Sequence, residues 1–174
     1  LIIKETLKLL RASIPSTIEI QQEVTVENDQ VLADLNQIQQ VLMNLCTNAY
    51  QAMRKQGGVL RVTLSPARRK IGRDEEVDCL KLTVSDTGTG MEPMVMQRIF
   101  EPYFTTKRVG EGSGLGLSAV HGIIAGCGGE ITVESELGNG STFHVYLPRH
   151  HQHQQEPVPA ADEFPTGNER VLVG

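Results

Sequence analysis

The stretch Asp86-Thr87-Gly88-Thr89-Gly90-Met91 divides the chain into two differently patterned parts and governs the reading of both. Just upstream, Leu80, Leu82 and Val84 alternate with Lys81, Thr83 and Ser85, the period of a strand with one buried face, and that alternation places Asp86 on the apolar face. A carboxylate at the end of a buried face must accept hydrogen bonds or carry a heavy desolvation cost. Downstream, residues 86–116 hold eight glycines or prolines and no sustained periodicity beyond a short helix near residues 94–100. A loop of that length inside a compact domain is usually functional.

Working outward, Leu35, Ile38, Val41, Leu42, Leu45, Ala49 and Ala52 fall on one helical stripe, with Asp34 as its cap and Gly57-Gly58 as its stop. Residues 59–64 and 79–85 read as strands. The charged run between them, from Arg68-Arg69-Lys70 to Asp74-Glu75-Glu76, reads as a solvated hairpin connection. Residues 1–13 read as the end of a helix through Ile3, Leu7 and Leu10, stopped by Pro15, and Ile18 and Ile20 alternate with Glu19 and Gln21 as in a strand. After the glycine-rich region a helix is expected from Gly116 to Cys127 on Leu117, Val120, Ile123 and Ile124, ended by Gly128-Gly129. Two strands follow, residues 130–135 and 141–147, joined by a Gly138-Asn139-Gly140 hairpin turn and ended by Pro148. Residues 149–167 are rich in histidine, glutamine, proline and acid and read as a linker; residues 168–174 resemble the opening of another strand.

Composition narrows the function classes. The 174 residues carry 16 basic and 21 acidic side chains, a net charge of −5, and no Lys/Arg run longer than Arg68-Arg69-Lys70, which makes the chain a poor candidate for a phosphate-tracking nucleic-acid binder. No apolar run approaches the roughly 20 residues of a membrane span, and the start, Leu1-Ile2-Ile3-Lys4-Glu5, lacks signal-peptide features. Cys46, Cys79 and Cys127 show no metal or disulfide spacing and read as free thiols in a reducing compartment; the His150, His151, His153 cluster lies in the polar tail.

Four constellations carry chemistry. Asn44-x-x-x-Asn48 places two carboxamides on one helix face beside the apolar stripe, where weak helix formers need a reason and a hard neutral ligand suits Mg²⁺. Asp86-x-Gly88-x-Gly90 offers a buried acceptor, for which an adenine amino group is a suitable neutral donor, and glycines that allow close backbone approach. Gly110-Glu111-Gly112-Ser113-Gly114-Leu115-Gly116-Leu117 leads into a helix and exposes successive N–H groups at its N-terminus, a phosphate site in geometry and dipole, although it has neither Walker A nor Rossmann spacing. Between them, Phe100-Glu101-Pro102-Tyr103-Phe104-Thr105-Thr106-Lys107 puts two phenylalanines four apart to anchor a loop that delivers Lys107 as a point charge. Taken singly, each has a plainer reading: a polar pair at the core edge, an ordinary turn, a flexible turn, a surface lysine.

In this order and spacing the set resembles the ATP-binding catalytic domain of bacterial sensor histidine kinases, in the superfamily that also holds gyrase, Hsp90 and MutL ATPases. Asn44–Asn48 is similar to the family's N box, Asp86-x-Gly88-x-Gly90 to its G1 box, residues 100–104 to its F box and Gly112-x-Gly114-Leu115-Gly116-Leu117 to its G2 box. Residues 99–107 and Asn48-Ala49-Tyr50-Gln51-Ala52-Met53 resemble the nitrogen-regulation type. Gln51 departs from the pattern, standing where many relatives carry Lys or Arg at a position tied to phosphate contact.

The resemblance implies a two-layer α/β sandwich, with a mixed, mainly antiparallel sheet covered by helices on one face, and ATP and Mg²⁺ as cofactors. It implies that Asn48 binds Mg²⁺ and Asn44 supports the phosphates or a bound water. Asp86 accepts from adenine, Gly88 and Gly90 leave room for the base, and Ser141, turned to the same face as Phe143, Val145 and Leu147, helps hold it. Phe104, Thr105, Thr106, Lys107, Gly112, Ser113, Gly114, Leu115, Gly116 and Leu117 belong to the F box and lid over the phosphates, with Asn44 and Lys107 closest to catalysis. It further implies a cytoplasmic domain, with no nucleic-acid or membrane contact of its own, that passes the γ-phosphoryl group to a histidine on a separate dimerisation domain and then to a response regulator or fused receiver. Residues 1–13 would be the connector from that domain, 14–148 the catalytic domain and 168–174 the start of a receiver. His121 and His144 match no acceptor motif. Three rivals are an ATPase of the gyrase or Hsp90 kind, which needs a glutamate base where Asn44 offers an amide that cannot act as one, a degenerate nucleotide-holding module, and a protein-serine kinase of the anti-sigma type.

Overall fold

The computed structural model describes residues 2–26, 34–72, 75–106 and 114–149. A five-stranded sheet in the order β1-β2-β3-β5-β4 carries the fold. Its strands are β1 (Ile18–Val24), β2 (Gly58–Lys70), β3 (Glu76–Asp86), β4 (Glu130–Glu136) and β5 (Gly140–Pro148). β1 runs parallel to β2 and every other pairing is antiparallel, so the sheet is mixed and mainly antiparallel as expected. The helices are α1 (Ile2–Arg11), α2 (Leu35–Met53), α3 (Pro93–Met96) and α4 (Gly116–Gly126).

Alternation along the strands creates two chemically different faces. Leu60, Val62, Leu64, Leu82, Val84, Phe143, Val145 and Leu147 are buried with Val41, Leu42, Leu45 and Met53 of α2 and Val120 and Ile124 of α4 in one core. Ile3, Leu7 and Leu10 of α1 belong to that core too, so the N-terminal helix is packed into the same body as the sheet. The opposite face is polar: the Thr83 hydroxyl lies 3.0 Å from His144 Nδ1, and Ser85 and Thr142 share a 2.9 Å hydroxyl contact. Arg69 covers the Tyr146 ring at 4.2 Å while gripping Glu130 through two bonds of 2.6 and 3.1 Å.

Asp34 caps α2 by accepting the Asn36 N–H at 2.8 Å. Burial sets in only at Val41, and Leu35 stays 70% exposed. At the other end the Gly57 N–H reaches Met53 O at 2.8 Å with φ +70°, the left-handed stop its sequence signals.

Three local expectations change. The charged run is a hairpin connection as expected, but a shorter one: Arg68–Lys70 and Glu76 belong to the strands, with Arg68 paired with Asp78 and Lys70 with Glu76 in the β2–β3 ladder, where opposite charges face each other. The α3 helix is shorter than expected, Pro93–Met96, followed by turns closed by Arg98 N–H to Val95 O and Glu101 N–H to Arg98 O. In the last hairpin Gly140 already pairs with Glu136, so the turn is Leu137-Gly138-Asn139, anchored by the Gly138 N–H on Thr89 O at 2.7 Å. No helix among the described residues is long and apolar enough to cross a membrane.

Candidate functional site

The sheet register assembles the floor of the site. Asp86 at the end of β3 pairs with Ser141 on β5, and Ser141 pairs with Ser135 on β4, so three polar side chains fall in one row on the otherwise apolar face. Asp86 is 5% exposed and Ser141 7%. The Asp86 Oδ1 accepts the Gly88 N–H at 2.8 Å, and the Ser141 N–H donates to the same carboxylate. Burial holds this carboxyl above the usual carboxylate range, and the two N–H donors pull it part of the way back. The Ser141 and Ser135 hydroxyls lie 2.9 Å apart, and Ser135 Oγ also accepts the Met91 N–H at 2.9 Å. Ser135 thereby ties the loop after Gly90 to the sheet.

α2 forms one wall. The Asn44 Nδ2 donates to Gly116 O at 3.2 Å, which joins this helix to the N-terminus of α4. Further along, Ala52 O accepts the Thr89 N–H at 3.2 Å, which joins it to the aspartate loop. The glycines of that loop are required by protein packing. A Cβ on Gly88 would lie 2.7 Å from Ala52 Cβ; Gly90, at φ +64°, would drive one into the Glu136 carbonyl oxygen.

The phenylalanine segment closes a third side. Phe100 and Phe104 pack against the core; the Phe100 ring lies 5.5 Å from His121, and Arg98, paired with Glu101 at 3.0 Å, sits 4.5 Å over Phe104. Tyr103 adopts φ +65° and donates its N–H to Gly114 O at 3.0 Å; Gly114, at φ +67°, would bring a Cβ to 2.7 Å from Tyr103 Cα. This junction pins the base of the glycine-rich loop to the phenylalanine segment. α4 begins immediately after, and its N-cap residue Leu115 supplies no side-chain cap.

These walls enclose a cavity of about 840 Å³, within the range of small-ligand sites. Asn44, Asn48, Asp86, Gly90 and Ser141 line it, and so do Phe104, Thr105, Thr106, Gly114, Gly116 and Leu117. Gly88 lies behind it against Ala52, and Leu115 caps α4 with its side chain 43% exposed. Lys107, Gly112 and Ser113 lie outside the described residues, as do the histidine cluster, the rest of the 149–167 linker beyond Arg149, and residues 168–174. Sequence reasoning did not pick out Ser135, whose only signal is its register opposite Ser141, nor Arg54, Lys55 and Gln56, which line the cavity just past the end of α2. Among the described residues no group of three or more His, Cys, Asp or Glu side chains could hold a metal ion.

A mixed sheet with helices on one face, and a cavity set between two helices and a buried aspartate, define an α/β domain with one built small-ligand site among its described residues. The chain belongs to the histidine kinase-, DNA gyrase B- and HSP90-like ATPase family, whose profile matches residues 33–151. It is 47% identical over 124 residues to the sensor kinase CckA of Brucella abortus (strain 2308), an alignment covering 68% of this chain and 13% of that protein. In three dimensions it superposes on the nucleotide-free catalytic domain of histidine kinase ThkA with a TM-score of 0.69, at 31% identity, covering 85% of this chain and 90% of that one. Full-length ShkA in complex with AMPPNP matches with a TM-score of 0.68 at 30% identity, over 84% of this chain and 29% of that one. Within the family the chain is thus a catalytic ATP-binding domain of the histidine kinase kind, and it spans only a small fraction of the length of the curated relatives it matches.

Proposed function

We propose that the parent protein is a two-component sensor histidine kinase. In this reading the present domain binds Mg-ATP and presents the γ-phosphoryl group to a histidine on a separate dimerisation domain. A single observation carries it: one cavity brings together the Asn44–Asn48 helix face, the buried Asp86 and the N-terminus of α4.

Each wall has work to do in this reading. Asp86, with one oxygen held by the Gly88 N–H, presents acceptor capacity to the adenine amino group, and Ser141 stands beside it. Fixed in position by two backbone donors, the carboxylate recognises the base without reorganising. The first N–H groups of α4 have no intrahelical partner and receive no side-chain cap from Leu115, and so suit phosphate oxygens. The donor set fits a hard cation: Asn44 commits its Nδ2 to Gly116 O and so presents its oxygen, and Asn48 stands one turn along on the same wall. Mg²⁺ bound there supplies charge neutralisation to the phosphates during transfer. An amide at position 44 cannot take a proton from water, which favours transfer to histidine over hydrolysis. In the transfer the histidine nitrogen forms a bond to the γ-phosphorus as the bond to the β,γ-bridging oxygen breaks. ADP leaves, and the imidazole gives its proton to solvent. Lys107, Gly112 and Ser113 would complete the lid over the phosphates, and a response regulator would take the phosphoryl group next.

The test supplies a histidine-bearing helical hairpin in trans. Labelled Mg-ATP with this chain should place acid-labile phosphate on the hairpin, and Asn48→Ala should abolish it. Nucleotide binding without any transfer under matched conditions would favour the degenerate module instead.

A further inference from the structure

Resting on the nucleotide reading above, we infer that Lys55 supplies a cationic contact to the phosphate chain at the open edge of the cavity. Asn44, Asn48, Gln51 and Lys55 follow one another at spacings of four, three and four, which keeps them on one face of a helical segment, and all four line the cavity. α2 ends at Met53, but the turn that continues it stays helix-like. Its Arg54 cap has φ −53° and ψ −34°, and the Gln56 and Gly57 N–H groups both return to Met53 O, so Lys55 remains in register with the stripe.

Charge and direction then single it out. Among the described lining residues the charged side chains are Asp86, Arg54 and Lys55; the wall has no other cation to meet a polyphosphate in a chain of net charge −5. Side chains on a helix lean toward its N-terminus and cover the turn before their own Cα. A side chain that follows this lean from position 55 covers about one turn, roughly 5.4 Å, which is the level of Gln51, and Lys55 lines the cavity there. Its flexible stem and compact ammonium suit a water-accessible phosphate oxygen. Arg54 is one position off the stripe. Lys55 has no ion pair among the described residues, so nothing in them competes for its charge.

Calorimetry of adenosine, ADP and ATP binding to the intact chain, with and without Lys55→Met, tests this. ATP affinity should fall about fivefold, ADP affinity should also fall, and adenosine affinity should stay within about twofold, as suits an exposed charge-assisted contact. Arg61→Met, at an exposed cation that bonds Gln21 away from the cavity, should leave the ATP-to-adenosine ratio near that of the wild type. In the Lys55→Met background, Gln51→Lys should restore ATP affinity, because it returns an ammonium to the level Lys55 reaches. Unchanged ATP affinity in Lys55→Met, an equal loss for adenosine and ATP, or no rescue by Gln51→Lys would overturn the assignment. A wild-type chain that binds neither adenosine nor ATP would instead overturn the nucleotide reading and this inference with it.

Discussion

Replacing Asp86 by asparagine isolates base recognition from folding. The carboxylate sits 5% exposed, with Gly88 N–H on Oδ1 at 2.8 Å and the Ser141 N–H as a second donor. In the variant the amide oxygen is drawn to those backbone donors, which turns the NH₂ toward the ligand. A charge-assisted acceptor facing the adenine amino group becomes a donor facing a donor. That mismatch costs on the order of 1–3 kcal/mol, or about 5- to 150-fold in affinity. Stability without nucleotide responds to opposing effects. The variant loses part of a backbone hydrogen bond but no longer has to desolvate a charge, so the net change should stay within about 1 kcal/mol. Titration calorimetry with ADP, paired with thermal denaturation of the free protein, reads both quantities. Unchanged ADP affinity in a folded Asp86→Asn protein would remove this carboxylate from the site; a collapse of stability with no folded protein would show that its role is structural.

Other consequences follow from the same structure. Because burial raises the Asp86 carboxyl, the folded state binds its proton more tightly than the unfolded state does. Its contribution to stability is therefore fully present below the unfolded value of 3.8 and lost as pH rises through the higher folded value. Asp86→Asn should remove that slope from a denaturation-versus-pH series, and an identical slope in the variant would contradict the assignment. Gly90→Ala forces a side chain at φ +64° into the Glu136 carbonyl oxygen, so unfolding free energy should drop by about 2 kcal/mol or more, measured by urea titration. The Cys46 thiol is 0% exposed and pushed up to about 12 by burial, so it should react with a maleimide only at the rate of unfolding while the half-buried Cys127 reacts sooner; mass spectrometry after brief labelling distinguishes them. Ser135→Ala removes the hydroxyl that accepts from Met91 N–H and meets Ser141, and should cost about 1 kcal/mol of stability with a smaller loss of ADP affinity.

The sequence alone carried the helices, most of the strands and the motifs, because these rest on short-range periodicity. The apolar stripe of α2, the Asp34 cap, the Gly57 stop and the alternation that buries Asp86 are all local, and each is where it was expected. Composition marks the hairpin after Arg68 but not its length, because solubility and strand pairing make the same demand on charged residues; only the partner strand shows that Arg68 faces Asp78. Tertiary structure alone decided that β1 lies parallel beside β2, that Ser135 stands opposite Ser141, and that Lys55 borders the same cavity as Asn44. It also decided what the glycines are for. An added Cβ at Gly88 would meet Ala52 and one at Gly90 the Glu136 carbonyl, so the fold itself needs both glycines, while Gly90 still lines the cavity. The division is physical: periodicity and capping act within a turn or two of chain, whereas register and cavity walls are set by residues far apart in sequence, whose meeting depends on how the whole core packs.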